Sequence, residues 1–493
     1  MNCIRSIVRS ACVFLAFVGG AFSGWAVPAP ENGRTSASPS PLLLPAPSAA
    51  LAQAELTRRL HDARPLGLET EAAIRRFYAA AGYTTFWTQD SGWTERATLA
   101  LQLLGQAAEV GLDRRRYAWA RLAALPDSLR RAAGPARGRH LASFELHLTD
   151  ALLRYAQHLR RGCLDPVTLL PAPPDTAAAR QAALLLHHSL AQGSFPDALE
   201  QVQPRTRSYR LLQAAWSRTL QQASTTDSLR LMQDTVAGFR RVAINLERLR
   251  WDATAADNEY ALVNIPAYRM QVVQGGQVLQ THRVIVGKPE LPTPVLSSRI
   301  IVFVTAPEWR VPYSIAVREL LPELQRDPGF LYDHQYRLYD GRGRRINPWH
   351  VNWQRMTPEK FAYSVRQLAG RQNALGNVVF YFPNQHTVFL HDTPARTAFT
   401  QTTRALSHGC VRVENPLKLA EYLLRREGQA DLIRPMYTSV KSRTKQRFDL
   451  AQGLPIYIRY YTCETDQGRL RFLPDVYGLD APLQAAFFRN NSE

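Results

Sequence analysis

Lysine is almost missing from this chain: of 60 basic residues only five, at positions 288, 360, 418, 441 and 445, are lysine. Cysteine is as scarce, five in 493 residues, and no CxxC pair occurs. HExxH is absent too, so neither a thioredoxin-type redox site nor a zinc-ligand spacing is present, and no cofactor or metal is implied. The adjacent His187 and His188 lie in the apolar run AALLLHHSL, where they read as helix packing residues. Glycine fingerprints for nucleotides are missing, because GRGRR at 341–345 fits neither the Rossmann nor the P-loop spacing. Acid is short as well: 41 Asp and Glu leave a net charge of +19. Such a surface attracts acidic polymers and anionic lipid. With no recognition motif, nucleic acid is not an expected partner.

The first residues set an expected compartment. Arg5 and Arg9 precede CVFLAFVGGAFSGWA, an apolar run too short and glycine-rich for a membrane span, and small residues lead up to Ala26. Residues 1–26 therefore read as a secretory signal peptide, with periplasmic export expected and an uncleaved inner-membrane anchor as the alternative. Cys12 lacks the surroundings of a lipidated cysteine and leaves with the signal. Residues 27–54, rich in Pro, Ala and Ser, read as a linker. Three cysteines remain, Cys163, Cys410 and Cys463; the odd number leaves at least one thiol free, and whether Cys163 and Cys463 pair stays open.

The chain is too long for one core, and its pattern changes once. Residues 55–245 show helical periodicity: Ile74, Phe77, Tyr78 and Ala81 fall on one face with Gly82 as a stop, and Leu148, Ala151, Leu152, Tyr155 and Leu159 repeat the spacing. From 255 to 490 the pattern alternates, with Gly275-Gly276 marking a hairpin and RIIVFVT, VVFYF, HTVFL and PIYIRYYT reading as further strands. The expected fold class is α+β: a mainly helical N-terminal domain, then a β-rich domain. A long insertion, about 312–370, holds helical SIAVRELLPELQ and irregular DGRGRRINPWHVNWQRM and reads as a cap over a cleft.

The chemistry concentrates at 391–412, HDTPARTAFTQTTRALSHGCVR. A thiol attacks carbonyls as thiolate, so Cys410 needs a base, and His391 and His408 are both candidates. Val388 to Leu390 read as a strand delivering His391. Gly409 permits a tight turn whose backbone N–H groups would face a substrate oxygen, with Ser407 alongside. Asn415 and Pro416 read as the N-cap and first residue of a helix ending at Gly428.

SHGCVR preceded by LHDTP resembles the motif of the L,D-transpeptidases, enzymes that cross-link bacterial peptidoglycan through a cysteine acyl-enzyme. INLERLRW at 244–251, LVNIPAY at 262–268, PEWRVP at 307–312, NALG at 373–376 and PDVYGLD at 474–480 resemble the large Gram-negative form, and the helical half resembles its scaffold domain. That form commonly carries a small peptidoglycan-binding module before INLERLRW; here only about two dozen residues separate RSYRLLQAAWSRTLQQ from Asn245, too few for one. The resemblance implies Cys410 as nucleophile and His391 as base, with His408, Gly409 and Ser407 in support. Arg412, Trp349 and Trp353 are candidate substrate contacts, Arg412 with a structural ion pair as the alternative and the tryptophans with packing. It implies peptidoglycan stem peptides as partners, acylation by β-lactams of the carbapenem class, and a monomer. Water as acceptor would instead make a carboxypeptidase. A cysteine endopeptidase normally places Cys before His, opposite to the order here, and an inactive wall-binding scaffold protein is the non-enzyme alternative.

Overall fold

The computed structural model describes residues 48–125, 132–172, 176–234, 238–252 and 257–489. The expected signal peptide and most of the expected linker lie outside them. The end of that linker is a correction: a helix spans Ser48–His61, so 48–54 are helical. Alanine and leucine favour the helix, and Ala52 is buried against Leu141.

The helical half packs around one long helix, Gly134–Arg161, with Leu141, Phe144, Leu148, Leu152, Tyr155 and Leu159 buried along it. Beside it lie the helices Ser48–His61, Glu71–Ala80 and Thr176–Ala191, and a small hairpin of β1 (Thr88–Gln89) and β2 (Gly92–Trp93), while Arg207–Gln222 packs against Phe239–Arg250. His187 sits edge-on to Phe77 and Phe86, as packing requires. A buried carboxylate organises the hairpin's entry: Glu145 accepts from the backbone N–H groups of Phe86 and Trp87 and from the hydroxyls of Thr88 and Tyr78.

The β-rich half begins with β3 (Glu259–Asn264), β4 (Arg269–Gln274) and β5 (Gln277–Gly287). Gly275 and Gly276 join β4 to β5 with φ of 56° and 78°, the two positive values that a type I′ hairpin turn needs. The sheet adds β6 (Leu296–Thr305), β11 (Val378–Tyr381), β12 (Leu390–His391), β13 (Ala405–Ser407), β14 (Val411–Val413) and β15 (Gln446–Arg459). Its order is β13-β5-β14-β12-β11-β6-β15-β3-β4, and a further β4–β5 pairing closes eight of the strands into a barrel. Val263, Val284, Phe303, Phe380, Leu390, Val411 and Ile456 fill the interior, closed by Leu419, Leu423 and Leu424 of the helix Pro416–Arg426.

Two expectations are corrected locally. The strand expected before His391 shrinks to Leu390–His391, because Asn384 builds a turn by accepting from His386 N and Val388 N, and Thr387 is left-handed. Asn415 stands at the cap position with φ 51° and no side-chain bond to the first turn. Asparagine tolerates that conformation, and Pro416 needs no acceptor there.

The insertion has its own core. β7 (Trp309–Arg310), β8 (Tyr336–Tyr339), β9 (Arg345–Ile346) and β10 (Ser364–Gln367) form a sheet in the order β7-β10-β8-β9, packed with Leu320, Leu324, Leu331, Trp353 and Phe361. Its helical stretch is broken by a π-helical turn, Ala316–Leu320.

The halves meet along the helix Phe239–Arg250, which holds most of INLERLRW. Glu247 accepts from the N–H groups of Cys163 and Leu164, and any side chain at Gly162 would collide with it. Asn245 donates to the Thr462 hydroxyl and accepts from Thr462 N. Arg241 and Arg248 both pair with Asp480, at 2.9 and 2.6 Å. Tyr461, Cys463, Leu483 and Phe487 from the chain's end thereby join the helical core. Cys163 and Cys463 are unbridged buried thiols in that core, both pushed up to about 12 chiefly by burial.

Asp480 is the most exposed of these joints to mutation, since its loss leaves two arginines without their buried carboxylate. Asp480→Ala should cost about 3–5 kcal/mol of unfolding free energy, measured by urea denaturation; a loss under about 1 kcal/mol would show the pair to be solvated.

Candidate active site

Strand register assembles the site. β12 and β14 run parallel, Leu390 opposite Val411 and His391 opposite Arg412. Leu390, Val411 and Val413 point into the barrel core, so His391 and Arg412 point to the opposite face. Cys410 directly precedes β14, two residues before Arg412, on that same face. Ile285 opposite Arg412 and Val379 opposite His391 complete it.

The turn before Cys410 is rigid. Gly409 has φ +111° while a Cβ there would meet nothing closer than 3.7 Å, so conformation alone favours glycine. Ser407 Oγ donates to the Cys410 carbonyl at 2.5 Å and accepts from Gly409 N at 3.2 Å. This corrects the expected oxyanion hole: the Gly409 N–H is held by Ser407, and the Cys410 N–H is the donor left at the turn. Thr293 Oγ1 donates to the Gly409 carbonyl at 2.8 Å and accepts from Gly287 N. Tyr477, in PDVYGLD, binds both ends of that loop, donating to Gly287 O and accepting from Thr293 N.

His391 is buried, and its Nδ1 lies 2.5 Å from the Asp392 carbonyl. A carbonyl only accepts, so Nδ1 carries the proton and Nε2 is left as the base. Burial first, and the Arg412 charge second, lower His391 to about 3, so the ring is neutral. The Ala374 carbonyl also touches it. NALG holds that carbonyl in place: Asn373 Nδ2 donates to the carbonyls of Pro307, Gln367 and Leu368, tying the loop to the roots of the cap. Asp392, next along, accepts from Asn377 N and pairs with Arg396 at 2.9 Å. Gly376 lets the loop pass, since a Cβ there would sit 2.5 Å from Asp392.

Burial raises the Cys410 thiol above its ordinary value, against weaker opposing pulls from the Phe389 backbone and Arg412. Both partners are therefore neutral at rest, thiol and imidazole, not a preformed ion pair. Arg412 has no ion pair within 4.0 Å among the described residues, and its buried Nε lacks a hydrogen-bond partner. Burial lowers it, while Cys410 and Glu319 pull it upward. The structural ion pair considered for Arg412 is thus not formed. His408 points the other way, its Nε2 2.6 Å from Glu319 of the cap.

Residues 72–215 match the Scaffold domain, and residues 258–445 match the L,D-transpeptidase catalytic domain. This chain carries an L,D-transpeptidase catalytic domain. A curated protein of Haemophilus influenzae, provisionally named as an L,D-transpeptidase, is 34% identical over 247 residues. That match spans 50% of this chain and 49% of the relative, about half the length of each. Among solved structures, an L,D-transpeptidase from Mycobacterium smegmatis is 14% identical over 41% of this chain and 58% of its own, with a TM-score of 0.20. L,D-transpeptidase 1 of Mycobacterium tuberculosis is 13% identical over 41% and 62%, with a TM-score of 0.16. Scores this low have no bearing on the fold.

Within the L,D-transpeptidase domain the two candidate tryptophans separate. Trp353 is buried in the cap core, with its indole N–H donating to Pro348 O at 2.7 Å and its ring beside Tyr363. Packing occupies it, which corrects its expected substrate role. Trp349 is 59% exposed on the cap. Sequence reasoning missed Thr293, Tyr381 and Glu319. Tyr381, raised by burial and by Cys410, lines the site in a row with Phe389 and His391. Tyr381 was visible only as the outward residue of VVFYF; Thr293 and Glu319 gave no local signal.

A neutral resting pair predicts that alkylation of Cys410 by iodoacetamide climbs continuously from pH 7 past 9. A plateau beginning near pH 6 would instead reveal a thiolate paired with imidazolium. His391 makes stability fall in acid. Its folded value lies below the unfolded one of about 6.5, so stability is complete above that pH and is lost as pH falls toward about 3. Between pH 6 and 4.5 the wild type should lose about 2 kcal/mol more than His391→Gln in chemical denaturation; parallel curves would mean a solvated ring.

Proposed function

We propose that this protein is a peptidoglycan L,D-transpeptidase that joins the third residues of two stem peptides and releases D-alanine. The observation that carries the reading is the β12–β14 register, which sets a neutral His391 and a half-buried Cys410 thiol on one face beside an Arg412 with no ion pair among the described residues. Cys410 Sγ attacks the carbonyl between the third residue and the terminal D-alanine, and its proton passes to His391 Nε2. The Cys410 N–H faces the developing oxyanion. The C–N bond breaks, D-alanine leaves with the proton from His391, and a thioester remains. The side-chain amine of a second stem resolves it. Arg412 is suited to a stem carboxylate, since its fork has no protein carboxylate to bind. The basic N-terminal stretch before an apolar run supports export to the periplasm.

The test is mass spectrometry of the purified chain. The wild type should gain the mass of a carbapenem and convert tetrapeptide muropeptides to dimers linked between third residues. Tripeptide without dimers would make it a carboxypeptidase, and cut cross-bridges alone an endopeptidase. Cys410→Ala and Cys410→Ser should lose the adduct while keeping the fold, and an adduct in both would remove Cys410 from its role. His391→Ala should slow acylation by about a hundredfold or more.

A further inference from the structure

Cys410, His391 and Arg412 account for the first half of the reaction, but none of them offers an anion to receive the cationic acceptor of the second. The amine that resolves the thioester arrives as an ammonium, and an ammonium has no lone pair with which to attack. It must be attracted, positioned and deprotonated beside the half-buried Arg412 cation. The cap supplies a group of the right charge. Glu319 lies in the π-helical turn Ala316–Leu320, a rare geometry that re-aims a side chain from an otherwise regular helix. Its Oε1 is 2.6 Å from His408 Nε2, two residues before Cys410, while its side chain stays 51% exposed. Its charge is felt at Arg412. The carboxylate therefore reaches from the cap to the turn that carries the nucleophile. By accepting from His408 Nε2–H it leaves Nδ1 of that ring as a base, the same orienting arrangement a carboxylate imposes in acid–base triads.

We propose that Glu319 on the cap, with His408, forms the acceptor subsite: it receives the cationic side-chain amine of the second stem and decides between transfer and hydrolysis. This rests on the transpeptidase reading above. In the step, the acceptor ammonium gives one proton to His408 Nδ1, and the freed amine attacks the thioester carbonyl. The tetrahedral intermediate passes an N–H proton to His391 Nε2. The C–S bond then breaks, and Cys410 leaves with that proton as thiol. His408 returns its proton to water, so thioester and ammonium become amide, thiol and one proton. Glu319 touches the amine; His408 moves its proton. A latch between cap and turn would need the same contact but no charge preference for the acceptor, which is what the experiment separates.

Donor tetrapeptide and acceptor tripeptide are incubated with wild type, Glu319→Gln, Glu319→Asp and Glu319→Lys, and D-alanine, dimer and hydrolysed tripeptide are quantified. Glu319→Gln keeps a hydrogen-bonding side chain but no charge. It should lower the dimer-to-hydrolysis ratio by about tenfold or more and raise the KM for the acceptor, while D-alanine release falls by less than about threefold. Glu319→Lys should lower the ratio further, and Glu319→Asp should retain most of it. A ratio within about twofold of wild type in both Gln and Lys variants, or an equal fall in D-alanine release and dimer formation, would overturn the proposal. A wild type that neither releases D-alanine nor takes up a carbapenem would overturn the transpeptidase reading first, and this one with it.

Discussion

Two residues of parallel pairing hold the chemistry of this protein together. Because Leu390 faces Val411 in the barrel core, His391 and Arg412 must face out together, and Cys410 follows from its spacing to Arg412. A slip of one residue would turn the histidine into the core and the leucine to the cleft, so burial of the barrel enforces the geometry of the site. A parallel pair cannot be made by a tight hairpin, which is why the segment from 392 to 410 must loop out and return.

That ladder would be of little use without fixed surroundings. Thr293, Gly287 and Tyr477 clamp the turn from one side, and Asn373 with the Ala374 carbonyl holds the histidine from the other. The same habit recurs where the halves join: Glu247, Asn245 and Asp480 are buried polar groups whose partners come from distant stretches of chain. Each finds these partners only in the assembled fold, so these networks make the helical half and the chain's end mutually dependent. A charge that would be costly if unpaired becomes a means of specifying one arrangement.

Burial also sets the acid–base state. It raises the thiol and lowers the imidazole, so the pair waits uncharged beneath the cap. Charge is concentrated at the edges instead, with Arg412 on the strand and Glu319 on the cap, one suited to a carboxylate and the other to an amine. Charges of opposite sign, one from the strand and one from the cap, thus stand near one thiol.

Much of this was open to reading from residue order alone. Periodicity determined the helical first part and the alternating second, the Gly275-Gly276 turn determined its hairpin, and the HDTP and SHGCVR segments determined where the chemistry would concentrate. These are short-range properties, set by side-chain spacing and backbone freedom. Tertiary structure decided the rest. Whether the Gly409 N–H was free depended on where the Ser407 hydroxyl turned; whether Trp353 met substrate depended on the cap having a core of its own to fill. Thr293 lies 116 positions before Gly409, and Glu319 lies far from His408 in the chain, so no local pattern could announce either contact. Sequence spacing reports which residues share an element, but which elements meet is decided only when burial and hydrogen bonding are satisfied everywhere at once.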